Sequence, residues 1–169
     1  MLLADVRPGH TVALRDVAKG DLATLYEIQR DPESHRMAAF GAADPSDRDA
    51  FVARARRILA DPGNLWMVVV LDGQVVGSVS RFDLFGVPSV AYEVARSLWG
   101  RGIGTRALAE LLRLVPTRPL FARVAADNVA SRRVLEKCGF LDVGGERSFA
   151  NARGAEIEER IYRCDAPGA

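Results

Sequence analysis

Apolar residues recur along this chain with two different spacings, and the switches between them mark out its elements. Thr11–Val17 alternates, with Val12 and Leu14 on one side of a pleat, as a short strand does. In DLATLYEIQR the spacing becomes helical: Leu22, Leu25, Tyr26 and Ile28 share a face, Asp21 stands at the N-cap position, and Asp31-Pro32 stops the run. Residues 33–49 read as irregular or only briefly helical. A second helix, roughly Asp47–Leu59, puts Phe51, Ala55 and Ile58 on one face and ends at Asp61-Pro62-Gly63. Strands at 65–71 and 74–82 flank Asp72-Gly73, a two-residue loop of type I′ preference, and 89–95 is a third central strand. A helix over about Thr105–Val115, ended by Pro116, precedes a strand at 119–126. The helix Asn128–Cys138 closes on Gly139, placed for a left-handed cap. Two last strands, roughly 141–149 and 156–163, are separated by ANARG. No repeat, low-complexity tract or linker interrupts the pattern, so residues 1–169 are expected to form one α/β or α+β domain.

The stretch LWGRGIGTRALAELLRL (98–114) carries the first chemical signal. Gly100, Gly102 and Gly104 precede a helix whose apolar face is Ala107, Leu108, Leu111, Leu112 and Val115. A helix start presents unpaired N–H groups and a partial positive charge, and glycines let a ligand reach the main chain without meeting a Cβ. The first turn has no Asp or Glu to use that charge; Arg101 and Arg106 stand there instead. Such a placement costs a few tenths to about 1 kcal/mol unless an anion is present. Two readings follow, an anion site or a glycine-rich turn with solvated arginines. Among phosphate motifs, GIGTRA fits the dinucleotide pattern G-x-G-x-x-A, but that fold needs the motif after an early strand, an acid about 20 residues on, and a second mononucleotide half. The P-loop needs a lysine that is missing here. A pyrophosphate turn of the acyl-CoA kind, late in the chain, remains.

Such a turn calls for a parallel neighbouring strand and helix, and ARVAADNVASRRVLEKCGF supplies both. Its spacing N-x-x-S-x-x-V-L-E-K-x-G-F (Asn128, Ser131, Val134, Leu135, Glu136, Lys137, Gly139, Phe140) resembles the second signature of the GNAT N-acetyltransferases. W-G-x-G-x-G-T, Trp99–Thr105, resembles their first, in a form similar to the ribosomal-protein-alanine N-acetyltransferase branch. The resemblance covers about residues 11–163. It implies a single GNAT-fold domain: a mixed central sheet of about six or seven strands, splayed between two parallel strands near 89–95 and 119–126, with about four flanking helices. It also implies acetyl-CoA as cosubstrate. The backbone near Val94 and Ala95 would pair with the pantetheine amides and polarise the thioester carbonyl. The turn of Trp99, Gly100, Arg101, Gly102, Ile103, Gly104 and Thr105 would hold the pyrophosphate. Asn128 and Ser131 would face pantetheine and sulfur. Arg132 or Arg133 would neutralise phosphate charge, a place that also suits plain surface solvation.

Acetyl transfer to an amine needs a neutral nucleophile, a stabilised carbonyl oxygen and a proton for the departing sulfur. A terminal α-amine, with a pKa of about 8, is partly neutral already; a lysine at about 10.4 needs more help. Much of the family uses a tyrosine in L-Y-E-K as the acid. This chain has Leu135 there, leaving Ser131, one turn earlier on the same face, as the substitute, or as a serine bonding its own helix end. Alanine-acetylating relatives often carry a glutamate four residues before the position of Glu93, where this chain has Ser89. Glu93, inside an apolar strand, is the candidate base or else an outward-facing or salt-bridged residue. Tyr92 reads as core packing, with its hydroxyl entering the cleft as the alternative. Cys138 reads as a buried, inert thiol, and His10 and His35 as surface residues, contact with acceptor being the alternative for His35. Relatives bound the acceptor with segments equivalent to 31–46 and 148–156.

Composition adds bounds rather than chemistry. With 49% hydrophobic and 27% charged residues the chain is an ordinary globular one, and a formal charge of +1 gives no bulk attraction to nucleic acid or membrane. No apolar run approaches the roughly 20 residues of a spanning helix, and MLLADVRPGH lacks the pattern of an export leader. A cytoplasmic protein is expected. Two cysteines, with no C-x-x-C or H-E-x-x-H, suggest neither a disulfide scaffold nor a metal. The reading is an N-acetyltransferase moving acetyl from acetyl-CoA to a peptide N-terminus or small amine by direct attack, as monomer or homodimer. Its rivals are a non-catalytic acyl-CoA-binding module and a nicotinamide-binding protein.

Overall fold

Alternation along the chain becomes one seven-stranded mixed sheet, in the order β1-β2-β3-β4-β5-β7-β6. The strands are β1 (Val12–Asp16), β2 (Leu65–Leu71), β3 (Gln74–Leu84), β4 (Val87–Val94), β5 (Leu120–Ala125), β6 (Leu141–Ala150) and β7 (Ala155–Cys164). This computed structural model describes residues 10–166; stretch 1–9, on which the absence of a leader was read, and 167–169 lie outside. Asp72 and Gly73 both take positive φ, 50° and 81°, as a type I′ loop between β2 and β3 requires. Every neighbouring pair is antiparallel except β4 and β5, which run parallel.

The helices are α1 (Leu22–Arg30), α2 (Pro32–Ala38), α3 (Arg48–Ala60), α4 (Ile103–Leu114) and α5 (Val129–Lys137). α2 is the element the pattern left as irregular or briefly helical. Asp31-Pro32 does end α1, but it also starts α2. Pro32 sits at the first helical position, where a missing N–H costs nothing, and the Asp31 carboxylate accepts from the amides of Glu33 and Ser34. Asp21 occupies the N-cap position of α1 without capping it. Its carboxylate is instead taken by the Ala18 amide at 2.7 Å and by both terminal nitrogens of Arg15 at 2.7 and 2.9 Å, which holds its pKa below the ordinary carboxylate range. α4 begins two residues before Thr105, directly on the glycines.

Strand alternation sorts the core into two layers. Met67 and Val69 face one way with Val79, Val90, Leu120, Val124 and Tyr162, beneath the apolar face of α4 and Leu135 of α5. Val68 faces the other way, against Leu25 and Tyr26 of α1 and Phe51 of α3. Thus α4 and α5 cover one face of the sheet, and α1 and α3 the other. Near the start of β3, that strand and the end of β4 press together: a Cβ on Gly77 would lie 2.1 Å from the Glu93 carbonyl oxygen, so only glycine allows that approach.

Candidate functional site

β4 and β5 pair at a single register point, Ser89 opposite Phe121, and then diverge. Each is fully laddered on its outer edge: β4 with β3 as far as Gly77 opposite Val94, and β5 with β7 from Leu120 to Ala125. The outer partners fix both strands while the inner edges, from Val90 and Ala122 onward, face a gap. The Ala95 amide donates to Val76 at 2.8 Å, across β3. Since main-chain groups alternate between the two edges of a strand, the Val94 amide is turned to the gap side. The Val94 carbonyl is met by the Trp99 indole N–H at 2.8 Å, so this exposed tryptophan forms a lip over the end of β4.

The turn after β4 leads straight to α4. Gly100 and Gly102 have φ of 76° and 73°, and a Cβ on either would meet nothing within 4 Å. Gly102 is the N-cap residue, no side chain caps the helix, and its first turn has no acid. The first amide to bond back is Arg106, to the Gly102 carbonyl at 3.1 Å. Among the described residues, the amides of Ile103, Gly104 and Thr105 therefore have no main-chain acceptor, and Arg101 stands exposed beside them. The chain presents open space, unpaired donors and positive charge at one corner, which fits an anionic diphosphate.

α5 starts from the other arm of the gap. Asn128 caps it, accepting from the Ser131 amide at 3.1 Å, and its Nδ2 donates to the Met37 carbonyl of α2 at 3.2 Å. Both ends of that side chain are therefore spent within the protein. Asn128→Ala is expected to cost about 1–2 kcal/mol, read from the midpoint of urea unfolding. Arg132 is also committed: it donates to the Tyr162 hydroxyl at 3.0 Å and the Ala126 carbonyl at 3.2 Å, while Arg133 is exposed. Ser131 meets Tyr92, which reaches across from β4; the two hydroxyl oxygens lie 2.6 Å apart, and the phenol is 2.8 Å from the Ser131 carbonyl. Burial pushes the Tyr92 phenol well above its ordinary pKa, so it stays protonated. Leu135 is buried in the core, 1% exposed. The Cys138 thiol is pushed up to about 11 by burial and lies 3.4 Å from the Thr105 carbonyl, as an inert packing residue should.

Glu93 follows Tyr92 and so points to the opposite face, toward α1 and α3. Ser78, its cross-strand neighbour, donates to it at 3.3 Å. Burial raises its pKa to about 7, against the smaller downward pull of the Ser78 hydroxyl and Arg54 of α3. No cation pairs with its carboxylate among the described residues, so the salt-bridged alternative falls away. Ser89 is buried at the closed end of the gap and bonds the Val87 carbonyl.

α2 bridges the two arms on this second face. At its start Asp31 pairs with Arg96, just past β4, at 3.0 Å. At its end the Met37 carbonyl takes Asn128, and the Arg36 carbonyl takes Arg153, which forks onto Asp127 at 2.6 and 3.0 Å. The 150–154 turn adds Ala152 N–H to the Ala39 carbonyl and Asn151 to Gly41. Apart from the Arg153–Asp127 fork, these ties join residues 65 to 117 apart in sequence, and no local pattern announces them. His35 is half-buried and holds the Ala42 carbonyl at 2.6 Å, fixing the turn after α2; His10 is exposed and pairs with Asp72. A shallow depression of about 380 Å³ lined by Ile58, Trp66, Ser80 and Arg81 lies toward the closed end of the strands, away from these groups.

Comparison with known proteins agrees with this geometry. The acetyltransferase (GNAT) domain family matches residues 11–141. The N-alpha-acetyltransferase RimI of Mycobacterium tuberculosis is 32% identical over 122 residues, which is 69% of this chain and 75% of that protein. Among solved structures, Mycobacterium smegmatis RimJ in complex with CoA-disulfide superposes with a TM-score of 0.74 at 25% identity, over 92% of this chain and 82% of the other. The ribosomal-protein-alanine N-acetyltransferase from Brucella melitensis shares the fold at a TM-score of 0.77 and 24% identity, over 91% and 99%.

Proposed function

Because this chain belongs to the GNAT family and is an acyl-CoA-dependent N-acetyltransferase, we propose that it carries acetyl from acetyl-CoA to a primary amine by direct attack in a ternary complex. A peptide N-terminus is the favoured acceptor. The observation carrying this reading is the gap between β4 and β5, which opens beside the unpaired amides of α4. Acetyl-CoA supplies an acetyl thioester, whose carbonyl carbon the amine attacks.

The chain's own groups then divide by face. Amides of Arg101–Thr105 hold the diphosphate, and Arg133, exposed on α5, serves a further phosphate, since Arg132 is spent on Tyr162. The Val94 amide points a donor at the carbonyl oxygen, where negative charge grows. Glu93 takes the amine's proton from the α1–α3 side, directly or through one water; a carboxylate near pKa 7 is matched to an α-amine near 8. Ser131, on the α4–α5 side, donates to the departing sulfur. Base and donor thus approach from opposite faces of one strand. The α2 strap, with the 150–154 turn tied to it, bounds the acceptor.

The name of the 32% identical relative favours an α-amine over other acceptors. The test is thiol release across short peptides with free N-termini, the same peptides N-blocked, polyamines and free amino acids. Free thiol with the unblocked peptides alone is the expected result. Thermal stabilisation by CoA without thiol release from any amine would leave a non-catalytic binding module.

A further inference from the structure

We infer that Tyr92 is the positioning residue for Ser131. Its phenol fixes the serine hydroxyl at the open end of the gap and lets it turn its hydrogen to the departing sulfur. The inference rests on the reading of Ser131 just given and deepens it.

The two residues belong to different arms of the site. Tyr92 stands on β4 and Ser131 in the first turn of α5, and β4 pairs with β5 only at Ser89. The phenol crosses the gap region and makes two contacts to one residue, 2.6 Å to Ser131 Oγ and 2.8 Å to its carbonyl oxygen. Asn128 holds the Ser131 amide, so Ser131 has its N–H and C=O both occupied. The hydroxyl rotor is its remaining freedom, and an unpaired serine visits three rotamers. Tyr92 selects one. The ring has little latitude of its own, since it packs beside Gly104, Val94 and Val134, within 3.9 Å of where a Gly104 Cβ would stand. Burial keeps the phenol protonated, so the pair always contains two hydrogens and two oxygens.

Those two contacts allow a change of donor with no movement of heavy atoms. At rest, Tyr92 donates to the Ser131 carbonyl, and Ser131 donates to the Tyr92 oxygen. When the C–S bond breaks, its electron pair goes to sulfur, and the serine hydrogen turns to that charge. Tyr92 then donates into Ser131 Oγ instead, and chained hydroxyls polarise one another in this way. Neither hydroxyl loses its proton. The amine's proton goes to Glu93 and then to solvent, and the thiolate, which near neutral pH lies below an ordinary thiol pKa of about 8.5 and so favours the protonated form, takes its proton from water on release. The aromatic hydroxyl missing at Leu135 is thereby supplied from the facing strand.

Tyr92→Phe keeps the ring and removes only the oxygen. It is expected to lower kcat about 10-fold, with the KM for acetyl-CoA, the CoA affinity and the midpoint of the acidic pH limb within error of the parent. Ser131→Ala should lower kcat by at least as much. The double variant should be no slower than Ser131→Ala alone, since the phenol acts only through the serine. Several outcomes overturn the inference while sparing the reading of Ser131: an unchanged kcat in Tyr92→Phe beside an impaired Ser131→Ala, losses that multiply in the double variant, or a fall in melting temperature and CoA affinity that accounts for the lost turnover. Normal turnover in Ser131→Ala would remove the reading of Ser131 itself, and the inference with it.

Discussion

Gly102→Val is expected to weaken CoA binding by at least about 100-fold, or roughly 3 kcal/mol, while the sheet remains folded. Gly102 sits at φ 73° with open space where a Cβ would be, directly before the unpaired amides of α4. A valine Cβ there has no protein atom within 4 Å; the side chain projects into the space a phosphate needs in order to reach those amides. The backbone cost is about 1–2 kcal/mol for a branched residue in the left-handed region. That lowers the melting temperature by several degrees in a domain of this size. The decisive measurement is therefore the CoA-induced rise in melting temperature, or direct titration by calorimetry, with Gly102→Ala as the milder comparison. A valine variant that titrates with CoA like the parent would place the diphosphate elsewhere and undo the assignment of this corner.

Glu93→Gln should lower kcat by about 10²–10⁴-fold, the usual contribution of a positioned base, and flatten the acidic limb of the pH–rate profile. In the parent that limb should have its midpoint near pH 7, because burial raises the carboxyl to about 7 and only the ionised form accepts the amine's proton. Activity is lost as pH falls through that value. Stability runs the other way. A carboxyl whose folded pKa lies above its unfolded value of about 4.3 binds its proton more tightly in the native state. Its contribution is full below about pH 4 and is lost as pH rises through 7, where a charge must be held half-buried. At about 1.4 kcal/mol per pKa unit, that charge costs the fold on the order of 4 kcal/mol at alkaline pH. The glutamine variant, neutral throughout, should therefore melt higher than the parent at pH 8.5 and equal to it at pH 4. A variant with parental turnover and an unshifted limb returns Glu93 to a structural role.

Strand and helix spacing made most of the scaffold legible, because burying one face of an element leaves a period of two or 3.6 in the residues that do it. The glycine turn was legible for a different reason. Positive φ and an uncapped, acid-free helix start are written in residue types: Gly100, Gly102, and arginines where acids would otherwise sit. α2 was harder to read because seven residues are too few to display a period, and because Pro32 signals both an end and a beginning. Asp21 shows the limit of cap reading: the residue type marked the position, but Arg15 and Ala18 competed for its carboxylate and won.

The candidate chemistry divides along the same line. That Glu93 and Tyr92 belong to one strand, and point to opposite faces, follows from adjacent positions in a pleat and needs no coordinates. Which face holds α1 and α3, that Glu93 is left without a cation, and that Tyr92 ends against Ser131 depend on long-range packing. So do the commitments of Arg132 to Tyr162, of Asn128 to Met37, and of Arg153 to Asp127. A side chain's type and local register are encoded next to it in the chain, whereas its partner is chosen by whatever the fold brings within about 3 Å. The sequence alone therefore carried the scaffold, the glycine corner and the list of candidate groups; only the assembled tertiary structure decided which were free to act, because desolvation and hydrogen-bond satisfaction are properties of the packed site.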